Sequence, residues 1–416
     1  MKTKLKMQAA CLGVVAATVM ASGTQAQAQE ASAAGSTFGT PTREVNIELA
    51  GEATYDSNIA RSNAAGAAAR GLEREDVRFS PSIEADLTLP TGPAVVTLAA
   101  TVAYDFHARN SQLDRERLNL QAGAASKFAM CDVGVQGGYS RRQNDLGDLS
   151  IIPGDPEGSA VNVQDVARIG GSVSCGSIIR PTAYIDYRTT RNSADQRKIS
   201  DVNLLTYGGG VSYRSPAFGI LTAFVGRTEF DYPDRRAFAG ALQGFDLMMY
   251  GLRLDRRLGT QLQFNGQIYY VNVNAASGLG DSFDGLNWDA AASLRLGANA
   301  QLTVSAAKIV DASSAFNLRA AKVSTYGATL DYVFSPLLRG SLYATRRERD
   351  FATDPLLPVL ILLNDDRTTE VGARLDYTIG RRIGLNLAAG YQDRDADVAV
   401  YDYSAFRATV GVSLRL

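Results

Sequence analysis

The chain has 416 residues, with 42 Lys and Arg against 43 Asp and Glu, 39 Gly, 18 Tyr, 15 Phe and one His. This near-neutral balance gives no reason to expect nucleic acid as a partner. Beyond the first twenty or so residues no stretch approaches the ~18 consecutive apolar residues of a transmembrane helix.

The N-terminus reads as a secretory signal peptide. Lys2, Lys4 and Lys6 precede an apolar run from about Ala9 to Met20, and Ala26-Gln27-Ala28 forms a small-x-small cleavage site. Residues 1–28 are therefore assigned to the leader, 29–43 to a short periplasmic segment and 44–416 to the folded body. Removing three lysines from a net charge of −1 leaves the mature chain at −4. Cys11 lies inside the apolar run instead of after it, so lipidation is not expected.

From residue 44 one pattern repeats. Apolar and polar residues alternate, a turn follows, and the alternation resumes. The pattern predicts strands at about 44–54, 75–89, 94–107, 114–126, 130–141, 163–175, 179–190, 200–214, 217–231, 244–256, 260–272, 285–296, 300–310, 321–334, 337–349, 367–379, 382–393 and 402–416. That makes eighteen, with sixteen as the alternative. Tight turns such as Leu89-Pro-Thr-Gly-Pro93 and Arg257-Leu-Gly259 alternate with long connections at about 57–74, 142–162, 233–243, 274–284, 312–319, 350–366 and 394–402. Short turns on one side and long loops on the other mark an all-β transmembrane antiparallel up-and-down barrel, with both termini on the periplasmic side. A soluble sandwich or propeller also alternates, but strands this long and numerous are unusual in one soluble domain.

Parity names the lipid face. The expected outward sets are Phe218, Ile220, Phe224 and Phe230; Leu262, Phe264, Ile268 and Tyr270; Ile383, Leu385, Leu387 and Tyr391; and Phe406, Val410, Val412, Leu414 and Leu416. Tyr187, Tyr207, Tyr213, Phe230, Tyr250, Tyr270, Tyr332, Phe334, Tyr377 and Tyr391 sit near strand ends, where aromatic rings suit the headgroup level. The opposite parity would line a lumen too wide for side chains to fill. Its candidates are Arg78, Glu84, Asp86, Arg117, Arg168, Arg188, Arg227, Glu229, Arg253, Asp255, Arg339, Arg347, Glu370, Arg374, Asp376, Arg407 and Arg415. Arg beside Asp or Glu in such a wall forms either cross-strand ladders that keep charges satisfied or an eyelet that selects solutes.

Cys131 and Cys175 flank a loop whose centre lies near residue 152. Residues equidistant from a hairpin centre face each other, so the pair is expected to meet at the periplasmic rim as a disulfide. A slip of one residue would put the thiols on different faces. No metal set, cofactor motif or catalytic group is expected. His107 lies near Asp105 and Ser111, but no elbow motif surrounds the serine.

Two segments resemble known outer-membrane signatures. Thr409-Val-Gly-Val-Ser-Leu-Arg-Leu416 is similar to the C-terminal signal read by the barrel-assembly machinery, with Leu416 where an aromatic residue is usual. Tyr55-Asp56-Ser57-Asn58, at the end of the first strand, resembles the opening of the second family of outer-membrane β-barrel porins. The likeness covers about 44–416. It implies a bacterial outer-membrane location, contact with outer-membrane lipid and no enzyme activity. It also implies a channel for hydrophilic solutes, serving in some relatives as the exit for an exopolysaccharide beside a periplasmic polysaccharide export protein. The alternative is a structural or adhesive barrel with a closed lumen, acting through its external loops. The loops at 142–162 and 350–366 are the candidates to constrict the bore, and the apolar insert Leu356-Leu-Pro-Val-Leu-Ile-Leu-Leu363 is a candidate plug.

Overall fold

A computed structural model describes residues 42–152, 154–237, 243–275, 284–311, 318–353 and 363–416. The expected leader at 1–28, nearly all of the expected segment 29–43 and most of the 356–363 insert lie outside the described residues.

Eighteen antiparallel strands close on themselves. They are β1 (Glu44–Asp56), β2 (Asp76–Thr91), β3 (Ala94–His107), β4 (Arg115–Phe128), β5 (Cys131–Gln143), β6 (Val163–Cys175), β7 (Ile179–Asn192), β8 (Val202–Ser215), β9 (Gly219–Asp231), β10 (Gly244–Leu258), β11 (Leu262–Ala275), β12 (Gly285–Leu296), β13 (Ala300–Asp311), β14 (Leu318–Ser335), β15 (Leu338–Thr353), β16 (Asp365–Ile379), β17 (Ile383–Ala396) and β18 (Tyr403–Arg415). Each pairs with its sequence neighbours, and β1 pairs with β18 to shut the cylinder. Closure leaves no strand edge unpaired, as hydrocarbon requires. The expected count of eighteen and the up-and-down order hold.

The turn end and the loop end differ in chemistry. Gly259 and Gly380 adopt positive φ in their tight turns (+61° and +65°), a backbone state that glycine enters without a Cβ penalty. At the other end the loops carry short helices, α1 (Ala64–Ala69) and α2 (Pro156–Ala160). In outer-membrane barrels the short turns face the periplasm, which orients the chain.

The exposed apolar residues follow one parity per strand, for example Ile185 and Tyr187 on β7, Leu252 and Tyr250 on β10, and Val410, Val412 and Leu414 on β18. This is an apolar coat facing outward, the reverse of a soluble core. β9 departs from expectation. Its outward residues are Leu221 and Val225, while Ile220, Phe224 and Phe230 turn inward. Phe218 is exposed but lies ahead of the strand, and Gly219 at φ +85° resets the alternation between them. Phe230 therefore leaves the expected aromatic girdle and stacks on Phe245 inside, ring centroids 4.4 Å apart.

Cys131 and Cys175 stand directly opposite in the β5–β6 register and are joined as a disulfide. They share parity with Val133, Val135 and Val173, so the bond sits on the outer face at the turn end. The cross-link spans a sequence separation of 44. By chain entropy it disfavours the unfolded state by about 4 kcal/mol. The Cys131→Ser, Cys175→Ser double variant is expected to insert and close normally but to unfold at lower temperature, read from heat-modifiable gel migration. Equal thermal stability would show that the wall alone sets it.

Candidate functional site: a loop layer across a charged bore

The buried apolar residues do not fill the barrel. They gather at the loop end in three clusters. Ile151, Val323, Phe351, Leu363 and Tyr401 form the first. Ala60, Leu72, Leu113, Leu146 and Leu149 form the second. Val202, Phe230, Tyr232, Phe245 and Val271 form the third. The first and third clusters join loop residues to inward residues at strand ends, and the second joins three loops to one another, so the loops form a packed layer over the outer end of the bore.

The connection between β5 and β6 crosses that layer. Asn144 to Asn162 leaves one wall, yet its residues bind the wall made by β15, β16 and β17, at least six strands away in either direction round the cylinder. Arg349 of β15 donates from Nη1 to Asp148 at 2.6 Å and from Nε to Asp366 of β16 at 2.8 Å. Arg394 of β17 donates to the carbonyl of Gly147 and ion-pairs with Asp366 at 2.5 Å. Arg347 lies 3.6 Å from Asp148. The Asp366 side chain has no solvent exposure, and those of Arg349 and Arg394 have almost none. Tyr401 Oη accepts from the Ile151 amide.

Neighbouring loops clamp the crossing segment. Arg70, in the first loop, is fully buried and donates to the carbonyls of Leu146 and Leu149 at 2.6 Å. Arg197, in the loop after β7, donates to the carbonyls of Ser150 and Gly158. Burial pushes the Arg70 guanidinium down to about 9 and Arg197 to about 10. Both stay charged at neutral pH, each holding backbone carbonyls that the crossing segment would otherwise leave unpaired.

Below the layer the inner wall is ionic. Arg78 and Arg117 flank Asp105 at 3.9 and 3.8 Å. Arg168 donates to Asp186 at 2.7 Å, and Arg253 reaches Gln267, which donates to Asp289. Arg374 pairs with Asp376, Arg407 with Asp56, and Arg415 with Glu48. Many of the expected lumen residues thus form cross-strand ladders.

The sequence matches the family described as "Putative beta-barrel porin 2" over residues 31–416. The chain belongs to that porin family. No curated protein matches it in sequence. Solved structures similar to this porin include Pseudomonas aeruginosa OccK2 (OpdF) in complex with glucuronate, with 13% identity, 90% of this chain and 98% of that one covered, and a TM-score of 0.47. Acinetobacter baumannii OccAB3 has 12% identity, 90% and 100% coverage and a TM-score of 0.45. The outer membrane protein opdK from Pseudomonas aeruginosa has 14% identity, 90% and 99% coverage and a TM-score of 0.47. The porin is an outer-membrane barrel, and its family comprises channels, not enzymes.

Two expected lumen residues of the porin are misplaced. Arg227 and Glu229 share the outward parity of Leu221 and Val225. Arg227 pairs outside with Asp246 and Glu229, and Tyr207 Oη donates to Glu229 at 3.0 Å. The apolar Phe224 and Phe230 suggested the opposite phase, but they are inward because Phe230 serves the loop layer. Glu84, Asp86, Arg188, Asp255, Arg339 and Glu370 keep inward parity. His107 Nδ1 lies 3.1 Å from Asp114, while Asp105 accepts from Ser80. Accessibility separates the two faces. In a barrel opened by shortening residues 145–160, a charged thiol reagent on Arg253→Cys is expected to lower the current, and the same reagent on Arg227→Cys to leave it unchanged. The opposite pattern in planar bilayers would reverse the parity of these strands.

The crossing residues were legible only in part. The 142–162 loop was a candidate constriction, but Arg70, Arg197, Arg349, Asp148 and Asp366 were not singled out. Their signal was composition: Leu146, Leu149, Ile151 and Ile152 are too apolar for a loop left in water.

Proposed function

We propose that this porin is a gated outer-membrane passage for a hydrophilic solute, a polysaccharide or oligosaccharide, and serves as the exit for an exopolysaccharide. The observation that carries this reading is the way the crossing loop is held. Its far end rests on ion pairs and guanidinium–carbonyl bonds against the opposite wall, not on apolar contact alone. A buried ionic network is weak evidence for stability and a recognised device for a switch. A competing charge or a displaced loop can release it as a unit. The wall below is lined by Arg and carboxylate groups that can hydrogen-bond sugar hydroxyls. The turn end would receive a periplasmic export protein, and the terminal strand β18 would engage the assembly machinery before insertion.

A sealed adhesive barrel is the second reading, favoured by the same loop layer. Cells lacking the porin are expected to retain polymer that wild-type cells release, and a plasmid copy to restore release. Unchanged release, with loss of surface attachment instead, would favour the sealed barrel.

A further inference from the structure

Inward-facing rings lie at one level of the bore, beneath the loop layer, and the glycines beside them show how they lie. Tyr184 of β7 stretches over Gly208 of β8, where an added Cβ would come within 2.7 Å of its Oη. A Cβ on Gly226 of β9 would collide with the same Oη. One tyrosine thus reaches across two neighbouring strands and lies flat on the wall. Tyr343 of β15 does the same. A Cβ on Gly372 of β16 would meet its Cζ at 2.5 Å, and one on Gly390 of β17 its Oη at 3.1 Å. Tyr184 and Tyr343 are each the sixth residue of their strands from the turn end, counted from Ile179 and Leu338. They stand on nearly opposite walls, eight strands apart of eighteen. Phe224 of β9 and Tyr269 of β11 also face inward, with ring centroids 6.1 Å apart.

All four rings are half-buried. For Tyr184 and Tyr343 one face is covered by wall, and the other meets the lumen. Glycine under a ring explains the covered face. It does not explain why a wall of ionic ladders leaves apolar faces toward water at this level. Polar groups sit at the ring edges. Glu370 accepts from Tyr343 Oη at 3.1 Å; elsewhere the Arg253 guanidinium lies over the Phe224 ring, 5.9 Å from its centroid, and Gln267 and Asp289 continue from Arg253. A flat ring with donors and acceptors at its rim matches a pyranose, which has an apolar C–H face and hydroxyls round its edge.

We propose that Tyr184 and Tyr343 are stacking platforms for the sugar rings of a chain held inside the bore, beneath the closed loop layer. This rests on the channel reading above and names the recognition element for its solute.

The test uses the mature full-length barrel in detergent micelles, with maltohexaose and cellohexaose as probes and polyethylene glycol of matched length as the non-stacking control. Saturation-transfer NMR is expected to show transfer to the ring C–H protons of at least one hexasaccharide and none to the glycol. The Tyr184→Ala, Tyr343→Ala double variant is expected to bind roughly tenfold more weakly or worse. The Tyr184→Phe, Tyr343→Phe variant keeps the faces and should bind as wild type. Heat-modifiable migration checks closure, and Tyr343→Ala alone is the second variant should the double one fail to fold. Binding needs no current, so a silent channel leaves this result readable. No transfer to either sugar, equal binding by a folded alanine variant, or preference for benzoate over both sugars would overturn the proposal.

Discussion

Replacing residues 145–160 with a short Gly-rich turn is expected to raise single-channel conductance on the order of tenfold or more. An eighteen-stranded wall encloses more space than its side chains can fill. The obstruction is therefore the loop layer, and the segment that crosses it is held both by other loops and by the far wall. Arg70 and Arg197 hold its carbonyls from two other loops, while Arg349 and Arg394 hold its far end. Removing it deletes Leu146, Leu149 and Ile151 from the two clusters they share with other loops. The wall should survive. β5 and β6 pair in unbroken register from Gln143↔Val163 to Cys131↔Cys175, and the disulfide fixes the turn end. Planar bilayers provide the measurement. Equal current from wild-type and shortened barrels would mean that this loop is not the stopper.

The wall was legible because lipid imposes one rule on every strand: apolar residues outward at period two. Away from the loop end β11, β17 and β18 obey it, so Ile268, Leu387 and Val412 could be placed from sequence alone. The rule fails where a second apolar environment competes. Near the loop end the interior is no longer water but packed loops, so Phe230, Leu247 and Val271 face inward. Outside, on the same stretch of wall, Arg227 pairs with Glu229 and Asp246. Both faces of β9 therefore invert their usual chemistry, and Gly219 hides the phase. The crossing loop was harder still. Asp148 and Arg349 are 201 residues apart in sequence, and nothing local ties them. Their pairing exists only because the barrel brings opposite walls within one loop's reach.

Asp366→Ala is expected to unlatch the crossing loop without deleting it. Asp366 accepts from Arg349 and ion-pairs with Arg394, and its side chain is wholly buried. Its loss leaves two guanidiniums close together, Arg349 still bonded to Asp148 and Arg394 to the Gly147 carbonyl. Breaking a buried pair by removing one partner costs about 3–5 kcal/mol, because the remaining charge stays desolvated. Here the structure can escape that cost by letting the loop lift and water reach the arginines. The destabilisation should therefore fall on the loop layer, not on the strands. Amide exchange at Ile151, whose N–H donates to Tyr401, should accelerate roughly 100-fold, and the bilayer current should show openings absent from wild type. Asp365, adjacent and exposed, provides the control: Asp365→Ala should change neither readout. Asp148→Asn should give a smaller effect, since it leaves Asp366 between both arginines. Global loss of heat-modifiable migration in Asp366→Ala, with no gain in current, would instead assign the ionic network to the stability of the wall.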